Sequence, residues 1–224
     1  IMKASPRNFT TSSDGSLTIW VPELDEHYHS IHGAITESQH VFIDAGLKAL
    51  DKEEISILEV GLGTALNARL TLEQKGSRSI RYFALEKFPL NEEEINEIEV
   101  LGHHTEAKLL KVDTGKPTMI ETGFTFELST EDLRNFKTDE PSFDLIYFDA
   151  FAPSAQPELW SEEVFQAMYD ALLPGGALVT YCAKGVVKRT MKSVGFEVEA
   201  LPGPPRKREM TRAWKSACRV AIGT

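Results

Sequence analysis

Cysteine is scarce. Cys182 and Cys218 are the only two in 224 residues, and both lie in apolar stretches that predict strands. That usage points to buried free thiols and argues against a disulfide-stapled scaffold. Long apolar runs are missing too. None approaches the ~20 residues of a membrane helix, and the opening residues Met2, Lys3, Ala4, Ser5, Pro6 and Arg7 hold no hydrophobic segment of the signal-peptide kind. A cytoplasmic protein without membrane contact is expected. His27, His29 and His32 fall close together, yet no cysteine or spaced carboxylate set completes a ligand group around them, so no metal is expected. Basic residues are outnumbered, 24 against 34, for a net charge of −10, which argues against indiscriminate nucleic-acid binding. The deficit is uneven. From Lys184 onward there are ten Lys and Arg against three Asp and Glu, a local balance of +7 beside −17 for the remainder. A basic C-terminal portion can still meet a polyanion locally.

What is present centres on 56–67, Ser-Ile-Leu-Glu-Val-Gly-Leu-Gly-Thr-Ala-Leu-Asn. Ile57, Leu58 and Val60 predict a strand buried on both faces. Gly61 and Gly63 follow, and 65–74 predicts a helix with Leu66, Leu70 and Leu72 on its inner side. Strand, glycine turn and helix N-terminus form a cradle in which the backbone approaches a ligand closely. A dinucleotide fingerprint has a third glycine where this chain has Leu66, which weakens an NAD or FAD reading. Glu59, two residues before Gly61, completes an E-x-G-x-G pattern that resembles the first motif of class I S-adenosylmethionine-dependent methyltransferases. Their ligand carries an amine, a carboxylate and a sulfonium cation but no phosphate, and an acid beside the glycines suits it.

Along the chain, 8–21 predicts a hairpin about Asp14-Gly15. Residues 35–50 predict a helix that Thr36 can cap. A second strand at 81–85 ends in Glu86, about twenty positions after the glycines and placed to accept ribose hydroxyls. Residues 91–101 predict an acidic amphipathic helix, and 109–122 stays ambiguous. A third strand at 124–128 precedes a short helix holding Leu133 and Phe136. Ser129, Glu131 and Asp132 are open alternatives for an acid contacting adenine. A strand at 143–148, apolar apart from Asp144, ends in Asp149. A helix at 158–172, strands at 177–182, 196–201 and 218–222, and a basic helix at 184–194 complete the order. Alternating strands and helices predict an α/β, Rossmann-like fold: a mainly parallel seven-stranded sheet with helices on both faces. Glu59, Glu86 and Asp149 all fall at carboxyl ends of strands, where such sheets bind ligands. The expected organisation is one domain, 1–224, with 1–52 as an N-terminal extension and 53–224 as the core.

Three further stretches narrow the reading: Glu86-Lys87-Phe88-Pro89-Leu90, Asp149-Ala150-Phe151-Ala152-Pro153 continuing to Trp160, and Arg206-Lys207-Arg208-Glu209-Met210. With 61–67, and with Tyr28, Gly33, Glu37, Val41 and Phe42 near the start, they resemble the methyltransferase half of the bifunctional enzymes that complete 5-methylaminomethyl-2-thiouridine at tRNA wobble positions. The family commonly has a glycine where this chain has Ala65. The resemblance implies methyl transfer from S-adenosylmethionine to the amine of 5-aminomethyl(2-thio)uridine. Glu59, Gly61, Gly63 and Asn67 would hold the methionine part, Glu86 with Lys87 the ribose side. Asp149 and Phe151 would border the acceptor amine, with the base stacked on Phe151 or Tyr28. Lys184, Lys188, Arg189, Arg206, Lys207 and Arg208 would meet tRNA phosphates. Nothing before Thr224 corresponds to the family's flavin-dependent half, so a standalone enzyme without FAD is expected, its amine supplied by a separate protein. Two competing readings are a spermidine-synthase-like aminopropyltransferase and a non-catalytic RNA-binding subunit of the same fold.

Overall fold

The computed structural model describes residues 8–11, 17–21, 26–27 and 33–217. Asn8–Thr11 (β1) and Leu17–Val21 (β2) pair antiparallel as predicted, and Glu26–His27 (β3) adds a third strand. Tyr28, His29, His32 and the predicted strand 218–222 lie outside the described residues.

The single helix predicted at 35–50 is three pieces. Ala34–Ser38 (α1) runs into a π-helical segment, Gln39–Asp44, and a 3₁₀ turn, Leu47–Ala49. Gly33, at φ 134°, is the N-cap, and Thr36 lies inside the helix and does not cap it. The wide turn buries Val41, Phe42 and Ile43 in succession, more than one face of an α-helix presents. A Cβ at Gly46 would stand 2.4 Å from the Phe42 carbonyl oxygen, so glycine is needed where this segment ends.

The core follows as Glu54–Val60 (β4), Leu66–Gln74 (α2), Ser79–Leu85 (β5), Glu92–Val100 (α3), His104–Leu110 (α4), Thr118–Glu121 (β6), Phe124–Ser129 (β7), Phe143–Phe148 (β8), Glu162–Ala171 (α5), Leu172–Thr180 (β9), Gly185–Ser193 (α6), Glu197–Pro202 (β10) and Glu209–Trp214 (β11). The sheet has eight strands in the order β10-β11-β9-β8-β4-β5-β7-β6. Its five central strands, β9 to β7, are mutually parallel, and the outer pairings are antiparallel. The eighth strand, β6, comes from the ambiguous 109–122 stretch. β11 comes from the basic stretch, whose charge disguised it: Arg212 pairs with Glu199 at 2.9 Å and lies over the Trp214 ring, while Met210, Thr211 and Ala213 are buried. The short helix expected around Leu133 and Phe136 is a turn. The helix expected at 158–172 is a 3₁₀ turn, Pro157–Trp160, followed by α5, because Ser161 breaks in to cap Val164 N–H.

One apolar cluster packs on each face, which is why β8 is buried along its whole length. Cys182 is a buried free thiol, as expected. Among the described residues no helix is long and apolar enough to cross a membrane.

The first chain step in the core runs β4 to β5 on one side, and β8 then enters on the other. β4 is therefore the switch point, where parallel sheets open a crevice at their carboxyl ends. Val60 is in register with Leu85 and with Phe148, so Gly61, Glu86 and Asp149 emerge level with one another. The helix after the crevice starts under strain: Ala65, the N-cap of α2, has φ 64° and is fully buried. A left-handed alanine costs about 1 kcal/mol over glycine. Ala65→Gly is expected to raise the melting temperature by about 2–4 °C, as calorimetry would show.

Candidate active site

Three strand tips build the crevice. The ladder continues past each strand, with Gly61 N–H donating to the Leu85 carbonyl and Asp149 N–H to the Val60 carbonyl, both at 2.9 Å. At Gly61, φ is 85° and an added Cβ would lie 2.6 Å from the Asp149 carbonyl oxygen. Gly63 is also left-handed, at φ 55°. Its N–H points to Glu86 Oε2 at 3.3 Å, while Glu86 Oε1 accepts from Phe88 N–H at 2.9 Å, which fixes the carboxylate at the lip. Above these groups is a cavity of about 450 Å³, a usual size for a small-molecule site. Gly61, Gly63, Glu86, Lys87, Asp149 and Phe151, all anticipated, line it.

Glu59 and Asn67 do not line it. They form a layer beneath. Glu59 is fully buried, and its oxygens accept from Asn67 Nδ2 at 2.9 Å and from the Tyr82 hydroxyl at 2.8 Å. The same Asn67 nitrogen donates to Asp149 Oδ2 at 2.9 Å. One amide thus bridges two carboxylates, and its own buried carbonyl oxygen has no hydrogen-bond partner among the described residues. Leaving an acceptor bare is costly, so the two carboxylates decide how this amide lies. Burial raises the proton affinity of Glu59 well above the ordinary carboxylate value, against the two hydrogen bonds, and the nearby Asp149 and Glu86 charges add to it. Asp149 is half-buried at the mouth. Desolvation pushes its pKa up to about 7, against the Asn67 hydrogen bond, with Glu37 raising and Lys207 lowering it.

On the opposite wall only Asp132, of the three alternatives near Ser129, borders the cavity. Ser129 instead accepts from Glu131 N–H through its hydroxyl and from Glu86 N–H through its carbonyl. Arg134, and then Lys87 at 2.6 Å, hold the Asp132 carboxyl far below its ordinary pKa.

The predicted basic set is divided. Lys184, Arg189, Arg206 and Arg208 are exposed, and Lys188 pairs with Glu209 at 2.9 Å. Lys207 belongs to the cavity: its ammonium is 2.5 Å from Glu37 Oε1 and 4.7 Å from the Tyr181 ring centroid. Glu37, Ser38, Arg134 and Tyr181 line the cavity and had been given no role. Glu37 alone had a signal, as part of the N-terminal motif. Among the described residues no cluster of His, Cys, Asp and Glu could hold a metal ion.

A doubly wound sheet with a glycine cradle at its switch point, flanked by carboxylates at the two neighbouring strand tips, is the arrangement of a Rossmann-like enzyme that binds a nucleotide-like ligand. Residues 76–216, well over half the chain, match the family described as S-adenosyl-L-methionine-dependent methyltransferase, and the chain belongs to that family. Its curated relatives include the tRNA 5-methylaminomethyl-2-thiouridine biosynthesis bifunctional protein MnmC of Cupriavidus metallidurans, 30% identical over 92% of this chain and 34% of the relative. The protein of the same description from Leptospira interrogans is 31% identical over 87% of this chain and 33% of its own length. The chain thus spans about a third of these relatives. The crystal structure of MNMC2 from Aquifex aeolicus has the same fold, with a TM-score of 0.77 at 24% identity, covering 97% of this chain and 73% of that one.

The cradle fits the family's ligand. Gly61 and Gly63 bring bare backbone to the cavity wall, and the fixed carboxylates suit a sulfonium better than a phosphate. Gly61→Ala is expected to force β4 and β8 apart at the crevice, costing about 2–3 kcal/mol. Chemical denaturation would register this loss, and calorimetry a fall in S-adenosylmethionine affinity of at least tenfold (about 1.4 kcal/mol).

Proposed function

We propose that this chain transfers a methyl group to the primary amine of 5-aminomethyl(2-thio)uridine at the wobble position of tRNA. The observation that carries the reading is Asp149: a carboxylate of raised proton affinity at a strand tip, held by Asn67 and opening on the cavity beside Phe151. Bound S-adenosylmethionine supplies the electrophilic methyl carbon. Gly61 and Gly63 receive its methionine part through bare backbone, Glu86 accepts from the ribose hydroxyls, and Asp132, with Lys87 and Arg134 on its carboxyl, faces the adenine side. Glu59 acts from below, by fixing Asn67 and through it Asp149.

An amine attacks carbon only after losing a proton. Asp149 takes that proton from the acceptor ammonium, leaving a neutral amine whose lone pair forms the new N–C bond. The C–S pair departs with the sulfur, and the proton passes from Asp149 to solvent. Alignment in the cavity supplies most of the remaining rate enhancement. The step calls for neither flavin nor metal. Phe151 borders the base, and the exposed Lys184, Arg189, Arg206 and Arg208 position the RNA through its phosphates. A cytoplasmic setting and a separate activity that supplies the aminomethyl group belong to the same reading.

Nucleoside mass analysis of tRNA carrying the aminomethyl group, after incubation with the protein and S-adenosylmethionine, should show a gain of one methyl on that nucleoside. Transfer to a polyamine alone would overturn the reading. Asp149→Asn is expected to lower kcat on the order of 100-fold. Because Asp149 must be ionised to accept the proton, the wild-type rate should rise with pH through about 7, and the variant should lack that limb. Stability runs the other way. The folded state holds the Asp149 proton more tightly than the unfolded chain does. Wild type should therefore lose stability relative to Asp149→Asn as pH rises from 3.8 to about 7, as denaturation at several pH values would reveal.

A further inference from the structure

The cavity has a second charged corner. Glu37 comes from α1 and Lys207 from the loop joining β10 to β11, 170 residues away. The Lys207 ammonium donates to Glu37 Oε1 at 2.5 Å and lies 4.7 Å from the centre of the Tyr181 ring. That ring is pinned, because the Tyr181 hydroxyl donates to the Ala150 carbonyl at 2.8 Å, one residue after Asp149. All three side chains line the cavity together with Asp149 and Phe151. Both members of the pair act electrostatically on the Asp149 carboxyl.

A carboxylate beside an aromatic face is the chemistry that recognises an alkylammonium. Here the chain places its own alkylammonium in that setting. The Lys207 side chain is 39% exposed and sits on a loop, so its hold is of the weak, displaceable kind. We propose that Glu37 and the Tyr181 ring form the subsite for the acceptor's primary ammonium, and that Lys207 fills it until an acceptor arrives. This inference rests on methyl transfer to an aminomethylated uridine and deepens it. The arriving ammonium is held by Glu37 while Asp149 stands ready for its proton. The displaced Lys207 joins Arg206 and Arg208 in the same loop, where a phosphate of the incoming RNA takes it up. Discrimination follows from the same charges: a uridine bearing a carboxylate at that position meets two acids and is refused.

The test measures dissociation constants of the full chain for two tRNAs, one carrying 5-aminomethyluridine at the wobble position and one identical but unmodified there. Wild type should prefer the aminomethylated tRNA on the order of tenfold. Glu37→Gln should bring that preference to within about twofold. Its S-adenosylmethionine affinity by calorimetry and its melting temperature should stay as in wild type, and its affinity for unmodified tRNA should not fall, since the freed Lys207 can reach a phosphate. Glu37→Asp should restore part of the preference. Lys207→Met, which removes the internal competitor and leaves Glu37 in place, should keep a preference for the aminomethylated tRNA, and the double variant Glu37→Gln/Lys207→Met should show none. An undiminished preference in Glu37→Gln or in the double variant, or a lost preference in Lys207→Met, overturns the subsite. Methyl incorporation in the same preparations separates the two levels. A wild type that methylates while Glu37→Gln keeps its preference refutes the subsite alone. A wild type that neither methylates nor prefers the aminomethylated tRNA refutes the function and the subsite together.

Discussion

The Asn67 amide, caught between Glu59 below and Asp149 above, is the contact on which the site depends. It ties three elements at one point: β4 through Glu59, the first turn of α2 through Asn67 itself, and the tip of β8 through Asp149. The Tyr82 hydroxyl adds β5 to the knot. Two carboxylates so close together repel, and a buried one resists ionisation. The amide's N–H groups offset part of that repulsion and hold Asp149 at the mouth of the crevice. The Asn67 carbonyl meets no partner among the described residues, so both of its side chain's hydrogen bonds run from Nδ2 to the acids.

The parts of this arrangement that repeat with a simple period were legible from the residues. Ile57, Leu58 and Val60, or the apolar run 145–148 of β8, can hardly be anything but buried parallel strands. Where such strands end, the polar residue that follows must face the crevice, so Gly61, Glu86 and Asp149 were found together. Glu59 was read as a neighbour of the ligand because it precedes the glycines. A strand points successive side chains to opposite faces, and the structure puts this one into the protein. β11 went unseen because Arg212, Trp214 and Glu199 satisfy one another across a hairpin, a pairing visible only once both strands exist. The π-helical turn at Gln39–Asp44 has no local signature short of the close contact at Gly46.

The basic stretch teaches a different lesson. Charge counted along the sequence treats Lys184 through Arg208 as one surface. In three dimensions Lys188 and, at 4.0 Å, Arg208 pair with Glu209, and Lys207 with Glu37 and an aromatic ring, so three of the six groups expected to meet phosphates have partners within the chain. Side chains that could meet a polyanion are fewer than the composition implies, and one of them is spent on the shape of the pocket.

The bond between Glu37 and Lys207 also sets an order of assembly. Every group of the glycine cradle and its lower layer is present once β8 and Asp149 have been made, while the wall that faces them needs the β10–β11 hairpin to fold back onto α1. On a ribosome, where chains emerge from the amino end, the glycine cradle is therefore complete before the wall that faces it. Closure of the cavity waits on the β10–β11 hairpin.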